Sequence, residues 1–328
     1  MWFGYQLRPH LSVQAQAQSA EKASLNGVVV PEHHGLTQWA SNPILMAYAA
    51  GVATSTIDVG AAPLLLPLYQ PQRLAEEAAF INNELGGRLI VGVGAGYMPE
   101  DFEHFGLDVA NRGALTDEGI DILRLAWQGQ PFEFNGAQQS FRAQVCLPVP
   151  EVIPPIWVAA GSRAGARRAA KRGDAILLDD LRPLDELVDL ADEYRTVCEA
   201  NDKPASVVLM RRVWIGDPDY ARRQLRDEVD AYRSTVVKRS DAPWLGAAAS
   251  QPEAQSDGPP ILCGTVAEIA EQLAECVGAV GADKVVFKAP FIVGTPSLDV
   301  ILDQIHAVGE QLVAPSRGGL DDAQGVGR

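Results

Sequence analysis

The sequence predicts a closed (β/α)8 barrel, or TIM barrel, with loop insertions. Eight short apolar segments rich in Val, Ile or Leu alternate with segments whose apolar residues recur at helical spacing. Strands that are apolar on both faces are typical of parallel sheets covered by helices. Eight such strand–helix units in a chain of 328 residues favour a closed barrel over an open doubly wound sheet.

The predicted elements follow one another in order along the chain. The strands cover residues 2–7, 27–30, 56–60, 89–93, 156–159, 175–178, 207–215 and 284–288. The helices cover residues 44–53, 71–85, 111–127, 164–172, 184–200, 218–238, 266–277 and 297–312. Asn42-Pro43 predicts an N-cap with a first-turn proline, and Gly86-Gly87, Gly129 and Gly173 predict helix ends.

Two segments interrupt this alternation. Residues 131–155 are turn-rich, and their phenylalanines alternate with polar residues, which predicts a small hairpin. Residues 241–260 are rich in Ala, Ser, Pro and Gly and predict a mobile loop or lid. We expect one barrel domain over residues 1–312 and a disordered, Gly- and Asp-rich tail over residues 313–328.

Composition and charge narrow the class of protein. The formal charge of −15 argues against binding to nucleic acid through a basic surface. No apolar run approaches the roughly 18 residues that span a bilayer, and the first residues predict a strand rather than a signal segment. The four cysteines are scattered without a Cys-x-x-Cys pair, which disfavours zinc and disulfides. We therefore expect a cytoplasmic protein with free thiols, no metal site and no membrane partner.

Two predicted strands end on residues suited to ligand binding. Residues 28–34 read Val-Val-Val-Pro-Glu-His-His, which places two imidazoles at the carboxyl end of a buried strand. Residues 89–97 form a second apolar run that ends in glycines, which let a flat ligand approach the backbone. The second run lacks the spacing of a dinucleotide fingerprint and continues into Pro99. Because ligands bind at the carboxyl ends of parallel strands, these features favour an enzyme.

The order and spacing of several motifs resemble one known family. These motifs are Pro31-Glu32-His33-His34, Asn42-Pro43, Pro67-x3-Pro71-x2-Leu74-Ala75-Glu76, Gly86-Gly87-Arg88-x3-Gly92-Val93-Gly94-x-Gly96-Tyr97, Pro154-Pro155-Ile156-Trp157-Val158 with Gly161-Ser162, and Gly264-Thr265. Over residues 1–312 they resemble the bacterial luciferase-like superfamily of flavin- or deazaflavin-dependent oxidoreductases. The resemblance implies a TIM barrel whose cofactor ring lies across the carboxyl ends of the strands.

The resemblance also implies catalytic residues. His33 matches the family's active-site histidine beside the cofactor ring, where an imidazole can exchange a proton or stabilise a reduced anionic flavin. Glu32 either orients the ring or is a solvated loop acid, and Tyr97 lines the pocket. His34 is expected to face elsewhere, because successive residues of an extended chain diverge.

Cofactor-binding residues are expected at three strand ends. They are Ala61 and Ala62 at a bulge supporting the central ring, Gly94, Ala95 and Gly96 under the ring edge, and Gly161, Ser162 and Arg163 around the terminal phosphate. The last group opens a helix, whose free N–H groups and dipole favour anions. Two structural alternatives stay open: the glycines serve tight packing, and Ser162 only caps its helix.

Three functions are compatible with these residues. The leading one is a monooxygenase that receives reduced FMN from a separate reductase and inserts one oxygen atom from O₂ into a small organic substrate. The second is a dehydrogenase or reductase that uses coenzyme F420 and exchanges a hydride, and the third is a non-catalytic flavin-binding relative. The His-His pair favours FMN, whereas Ala95 favours the deazaflavin, because some monooxygenases of the family have an arginine there. The family also implies a homodimer.

Overall fold

The computed structural model describes residues 1–34, 40–143, 145–180, 182–232, 261–290 and 296–315. Its main sheet holds eight parallel strands that close into a ring, which confirms the predicted barrel. In ring order the strands are β1 (Trp2–Gln6), β2 (Gly27–Val30), β3 (Asp58–Leu65), β4 (Leu89–Gly94), β7 (Ile156–Ala159), β8 (Ala175–Leu178), β9 (Val207–Ile215) and β11 (Lys284–Lys288). Outside the ring lie β5 (Phe132–Asn135), β6 (Ser140–Ala143) and β10 (Ile261–Gly264).

Helices connect the strands of the barrel. They are α1 (Val13–Lys22), α2 (Pro43–Val52), α3 (Pro71–Glu84), α4 (Pro99–His104), α5 (Arg112–Ala126), α6 (Arg163–Arg172), α7 (Leu184–Ala200), α8 (Pro218–Tyr232), α9 (Val266–Val280) and α10 (Leu298–Ala307). The predicted start of α2 is confirmed, since the Asn42 side chain accepts a hydrogen bond from the Leu45 amide at 3.2 Å. Thr265 and Glu268 form a capping box at the start of α9, as their local sequence suggests.

The barrel axis is filled by side chains from the inner faces of the strands. Val29, Ile90, Trp157, Met210 and Val286 belong to one buried cluster that draws on strands all around the ring. A tryptophan on β1 reaches Trp157 on β7 across the barrel, with ring centroids 5.3 Å apart. This packing separates a closed floor from the carboxyl ends of the strands, where a ligand can enter.

The structure differs from the predicted elements in several places, among them α1 and α4, two helices that were not predicted. Strand β3 runs to Leu65 instead of ending at Gly60, and its pairing with β4 shifts between Ala61 and Leu64, next to a cis Ala62–Pro63 peptide. Strand β10 was not predicted, and it pairs with the extended end of β9. The described helical structure includes residues 313–315, and Val313 is fully buried; the predicted boundary at residue 312 stays a prediction.

Other expectations concern the loops. The predicted hairpin is confirmed, since β5 and β6 pair antiparallel with Phe132 opposite Ala143 and Asn135 opposite Ser140. The predicted loop at residues 241–260 and the tail from residue 316 lie outside the described residues. Over the parts of the chain that are described, no helix is long and apolar enough to cross a membrane.

Candidate active site

The carboxyl end of β2 is held against β3 by backbone hydrogen bonds. The Glu32 amide donates to the Pro63 carbonyl at 3.0 Å, so the chain stays beside the irregular part of β3 after β2 has ended. The His33 amide donates to the Ala40 carbonyl at 3.0 Å. These bonds fix the positions from which Glu32, His33 and the next residue project their side chains.

Glu32 is a buried acceptor of three hydrogen bonds. Its carboxylate accepts from the Leu65 amide at 2.6 Å, from the Tyr69 hydroxyl at 2.9 Å and from His34 Nε2 at 3.0 Å. Only 2% of the residue is exposed, which excludes the solvated loop acid considered from the sequence. The histidine that bonds to Glu32 is His34 rather than His33. Through the Leu65 amide, Glu32 also joins the end of β2 to the end of β3.

The interactions of Glu32 shift the pKa values of its partners. Its hydrogen bond to His34, acting against burial, raises the pKa of that imidazole above the ordinary value. Burial and the Glu32 carboxylate together raise the pKa of Tyr69, so its hydroxyl stays a donor at neutral pH. The result is a charged, hydrogen-bonded junction beneath the candidate site.

His33 lies where three elements meet. Its Nδ1 is 3.9 Å from a carboxylate oxygen of Asp101, which is buried in α4. Its ring also meets that of Tyr97 edge-on, with centroids 6.0 Å apart. The structure therefore brings together two of the predicted residues, His33 and Tyr97. Asp101 was missed in the sequence, where it is one of several acids in a polar segment.

His34 is directed away from His33, as expected for successive residues. Its ring stacks on His104 at 6.3 Å with an interplanar angle of 26°, and it meets Phe105 edge-on at 4.8 Å. His104 is exposed at the end of α4. The two adjacent histidines of the motif therefore have different surroundings, since His33 Nδ1 lies 3.9 Å from Asp101 whereas His34 bonds to Glu32.

The glycines of β4 pack closely against β3. A Cβ atom added to Gly92 would lie 2.5 Å from the Cβ of Ala62, and one added to Gly94 would lie 3.2 Å from that of Pro63. Gly96 has a φ of +70°, and a Cβ there would lie 3.0 Å from the ring of Phe102. Tight packing thus accounts for these glycines, and it also leaves a surface of small residues at the strand ends.

The predicted cofactor-binding alanines do not share one environment. Ala61 is buried in the large cluster that includes side chains of the surrounding helices, whereas Ala62 belongs to the cluster on the barrel axis. Ala95 is partly exposed just after β4. Of the first pair, only Ala62 therefore lies on the inner face of the barrel, where it is 1% exposed.

The start of α6 follows β7 at the same end of the barrel. Ser162 caps the helix, with its hydroxyl accepting from the Gly165 amide at 3.2 Å. Arg163 is 66% exposed and lies 3.6 Å from Glu193. A second arginine, Arg182, lies close to Gly161, where an added Cβ would be 2.6 Å from its guanidinium. Arg182 is buried, and no motif marked it in the sequence.

A buried ionic cluster occupies another part of the barrel mouth. Asp180, just after β8, lies 3.1 Å from Arg212 on β9 and 3.3 Å from Lys288 on β11. Burial alone would raise the pKa of Asp180, but the two cations overcome it and lower the pKa to about 2. None of the three was singled out from the sequence, although they lie at or just beyond predicted strands.

Comparisons with known proteins agree with this architecture. A family model for luciferase-like monooxygenases matches residues 8–284. The solved structure of the monooxygenase RslO1 from Streptomyces bottropensis has a TM-score of 0.79 at 19% identity, covering 96% of this chain and 100% of that chain. At this identity the likeness shows the fold alone.

Two curated relatives differ in the cofactor that their names give. The oxygenase component of the flavin-dependent trigonelline monooxygenase of Acinetobacter baylyi is 26% identical over 223 residues, which is 66% of this chain and 62% of that protein. The F420-dependent glucose-6-phosphate dehydrogenase of Gordonia bronchialis is 27% identical over 172 residues, covering 49% of this chain and 50% of that protein. The match thus spans only part of each relative. Because the family model matches most of the chain, the protein belongs to the luciferase-like monooxygenase family.

Proposed function

We propose that the protein is a monooxygenase that uses reduced FMN and O₂ to insert one oxygen atom into a small organic substrate. The observation that carries the proposal is the meeting of His33, Asp101 and Tyr97 at the carboxyl ends of the strands, beside a surface of small residues. The similarity to a flavin-dependent monooxygenase of Acinetobacter baylyi supports it.

The residues at the barrel mouth fit a flat cofactor. Ala62, Gly92 and Gly94 pack against one another at the ends of β3 and β4, and the partly exposed Pro63, Ala95 and Gly96 just beyond them offer a ring a surface without large side chains. When bound, reduced FMN supplies the electrons that activate O₂, and the barrel orients and shields it. His33 lies at the edge of this surface, and its imidazole can hold or transfer a proton.

Asp101 is proposed to position His33. A buried carboxylate near Nδ1 favours a proton on that nitrogen and leaves Nε2 as the atom directed to the reaction. The 3.9 Å separation is longer than a hydrogen bond and can shorten when a ligand orders the site. Glu32 is then a positioning residue of the strand end, since its three partners do not include His33.

The start of α6 is proposed to hold the cofactor phosphate. Gly161 and Ser162 present backbone N–H groups at the helix N-terminus, where the dipole favours an anion. Arg163 is mostly exposed and Glu193 also pairs with Arg167 at 2.6 Å, so Arg163 can turn from Glu193 to a phosphate without leaving that carboxylate unpaired. Arg182 is buried beside Gly161, where it pairs with Asp179 at 2.8 Å and Glu186 at 3.1 Å, so it lines this proposed site as part of an ionic cluster.

A separate flavin reductase and a homodimer complete the proposal. The reductase is proposed because the trigonelline enzyme is named as the oxygenase component of a flavin-dependent monooxygenase, so another component is expected to supply reduced flavin. A dimer is supported by exposed apolar residues on neighbouring elements, namely Leu45 and Val52 of α2, Phe80 of α3, and Val152 and Ile153. Val152 and Ile153 lie next to α3, because the Asn82 side chain donates a hydrogen bond to the Val152 carbonyl at 2.6 Å. The cytoplasmic location stays a prediction.

Use of coenzyme F420 is the second candidate. Two observations favour it, the small side chain of Ala95 and the similarity to the F420-dependent dehydrogenase of Gordonia bronchialis. In that case His33 would serve hydride exchange without O₂. A non-catalytic role is disfavoured by the meeting of His33 with a buried carboxylate, which a purely structural barrel would not need.

A binding and turnover experiment separates these functions. The purified protein is titrated anaerobically with FMN, reduced FMN and reduced F420, with binding followed by calorimetry. We expect reduced FMN to bind most tightly, and candidate substrates to be oxygenated with stoichiometric O₂ uptake. Tighter binding of reduced F420 with anaerobic turnover would instead establish the dehydrogenase, and failure to bind any of the three would refute both.

A further inference from the structure

Strand β1 presents a polar side chain to the inside of the barrel. Residues of this strand alternate between two environments: Phe3 and Tyr5 belong to the large cluster that includes side chains of the helices, whereas the Trp2 ring packs against the cluster on the barrel axis. Gln6 is four residues after Trp2, so alternation directs its side chain to the axis as well. Because Gln6 is the last residue of β1, it lies at the end of the barrel where the mouth opens.

The carboxamide of Gln6 is buried without a protein partner. The residue is only 3% exposed, and within the described part of the chain its side chain has no hydrogen-bond partner. Its nitrogen and oxygen are not fully enclosed, so both stay in contact with space that a water molecule can enter. A carboxamide has two N–H donors and a carbonyl acceptor, and burying them unpaired costs free energy.

A second buried glutamine shows what a structural role requires. The carbonyl oxygen of Gln16 in α1 accepts a hydrogen bond from the Arg8 amide at 2.8 Å, and its NH₂ group donates to the carbonyls of Arg8 and Ser12 at 3.0 Å and 3.2 Å. Both halves of that carboxamide hold the turn between β1 and α1. The Gln6 carboxamide has no corresponding use among the described residues, so a structural role does not explain it.

The neighbouring strands place Gln6 beside the proposed reaction site. In the β1–β2 ladder Gln6 pairs with Val29, and the chain continues beyond β2 to His33. On its other side β1 pairs with β11, whose Lys288 belongs to the buried ionic cluster. The small residues of β3 and β4 lie beyond β2 in the ring. A group bound to Gln6 is therefore on the other side of β2 from the surface proposed for the cofactor ring.

The chemistry of a carboxamide selects the group that binds to it. A carboxylate only accepts hydrogen bonds and an ammonium group only donates them, so each satisfies one half of a carboxamide. An amide whose N–H and C=O groups lie side by side satisfies both halves through two hydrogen bonds. A site of this kind disfavours an analogue that lacks one of the two groups, because a polar atom of the protein is then left buried and unpaired.

We propose that Gln6 binds an amide, lactam or imide group of the substrate through two such hydrogen bonds. The inference rests on the proposed oxygenase function and deepens it by giving the substrate class. The pyrimidine edge of a flavin ring carries the same kind of group. The substrate is favoured as its source, because β2 separates Gln6 from the small residues of β3 and β4. The rest of the substrate then extends toward His33.

The test uses neutral compounds that differ in one donor group. 2-Piperidone is compared with cyclohexanone, and benzamide with acetophenone, so that a carbon group of similar size replaces the NH or NH₂ group. Affinities for wild type and Gln6→Met are measured by calorimetry with the protein loaded with oxidised FMN, which prevents turnover. The matched control for stability is Gln16→Met, which removes the carboxamide that is already paired. Melting temperatures are measured for all three proteins.

We expect at least one amide to bind wild type about fivefold to thirtyfold more tightly than its ketone, the effect of one neutral hydrogen bond and of the acceptor that the ketone leaves unpaired. Gln6→Met should remove this preference and leave the affinity for FMN and its reduction potential unchanged. Its melting temperature should equal or exceed that of wild type, because methionine has a similar size and no unpaired polar group. Gln16→Met should melt several degrees lower, since the buried Arg8 amide loses its acceptor.

Four results would overturn the inference. The first is a wild type without a preference for either amide, including one that binds none of the compounds. The second is a preference that survives Gln6→Met. The third is weaker binding of FMN to Gln6→Met, which would assign the carboxamide to the cofactor ring. The fourth is a melting temperature of Gln6→Met as low as that of Gln16→Met, which would make the residue structural.

The same compounds are also measured with the cofactor-free protein, which separates this inference from the proposed function. A wild type that binds neither FMN nor reduced FMN refutes the proposed function, whatever its affinity for the amides. A wild type that binds FMN normally but shows no amide preference refutes the role of Gln6 and leaves the proposed function standing.

Discussion

Replacing Glu32 by Gln tests whether the end of β2 depends on a buried carboxylate. The side chain accepts hydrogen bonds from a backbone amide, a hydroxyl and an imidazole, all at 3.0 Å or less. Glutamine has nearly the same shape but keeps one acceptor oxygen and presents an NH₂ group in place of the other. At least one buried donor then loses its acceptor, and the other bonds lose their charge.

The expected loss follows from these bonds. A buried donor without an acceptor costs about 1–3 kcal/mol, and each bond to a charged group exceeds a neutral one by about 1 kcal/mol. With one donor orphaned and two bonds weakened, we expect Glu32→Gln to lower the free energy of unfolding by about 3–5 kcal/mol, measured by urea denaturation.

The loss should also depend on pH through His34. Its pKa is raised in the folded state above the ordinary value of 6.5, chiefly by the bond to Glu32. That interaction adds stability fully below pH 6.5, and the contribution is lost as the pH rises through the folded-state pKa. The difference between wild type and Glu32→Gln should therefore be larger at about pH 5.5 than at about pH 9.

The chain contains a matched control at its surface. His306 Nε2 lies 3.0 Å from Glu310, the same distance as in the buried pair, but both side chains are more than half exposed. Glu310→Gln should change the free energy of unfolding by less than about 1 kcal/mol, because solvent screens an exposed pair. Equal losses in the two variants, or a loss in Glu32→Gln that does not change with pH, would refute the reasoning.

Three further predictions concern the candidate catalytic residue, the proposed phosphate site and the buried ionic cluster around Asp180. His33→Ala should lower turnover with little change in the melting temperature; a large loss of stability with unaltered turnover would make the residue structural. The double variant Ser162→Ala with Arg163→Gln should weaken FMN by about 1–4 kcal/mol and riboflavin far less, whereas equal weakening would exclude the phosphate site. Asp180→Asn removes the carboxylate between two buried cations and should cost about 3–5 kcal/mol at neutral pH. Because the pKa of Asp180 is lowered from 3.8 to about 2, that difference should shrink as the pH falls from 4 toward 2.

The barrel could be predicted because its strands carry a strong local signal. Continuous runs of Val, Ile and Leu mark strands that are buried on both faces, and the eight ring strands coincide with eight predicted segments. The end of β3 was missed because Ala61, Ala62 and Pro63 are weak strand formers and proline removes a ladder donor. The strand continues there because the backbone bulges and the next leucines are buried.

The inward direction of the two cations in the ionic cluster can be predicted from the sequence. Lys288 follows Val286 by two residues, and Arg212 follows Met210 by two, so alternation alone directs both cations to the inner face of predicted strands. The acid that joins them could not be found in this way. Asp179 and Asp180 are adjacent, and only the path of the chain after β8 decides which carboxylate reaches β9 and β11.

The Pro31-Glu32-His33-His34 motif shows why sequence adjacency is a poor guide to chemical partnership. Glu32 and His33 are neighbours in the chain, yet Glu32 bonds to His34 and to the Leu65 amide at the end of β3. His33 instead lies beside Asp101 of α4, about seventy residues away in the chain. At a strand end, successive side chains point to opposite sides. A carboxylate at position i therefore reaches the side chain at i+2 more readily than the one at i+1. A role for Glu32 in catalysis would therefore act through the geometry of the strand end, whereas Asp101 lies where it can act on His33 directly.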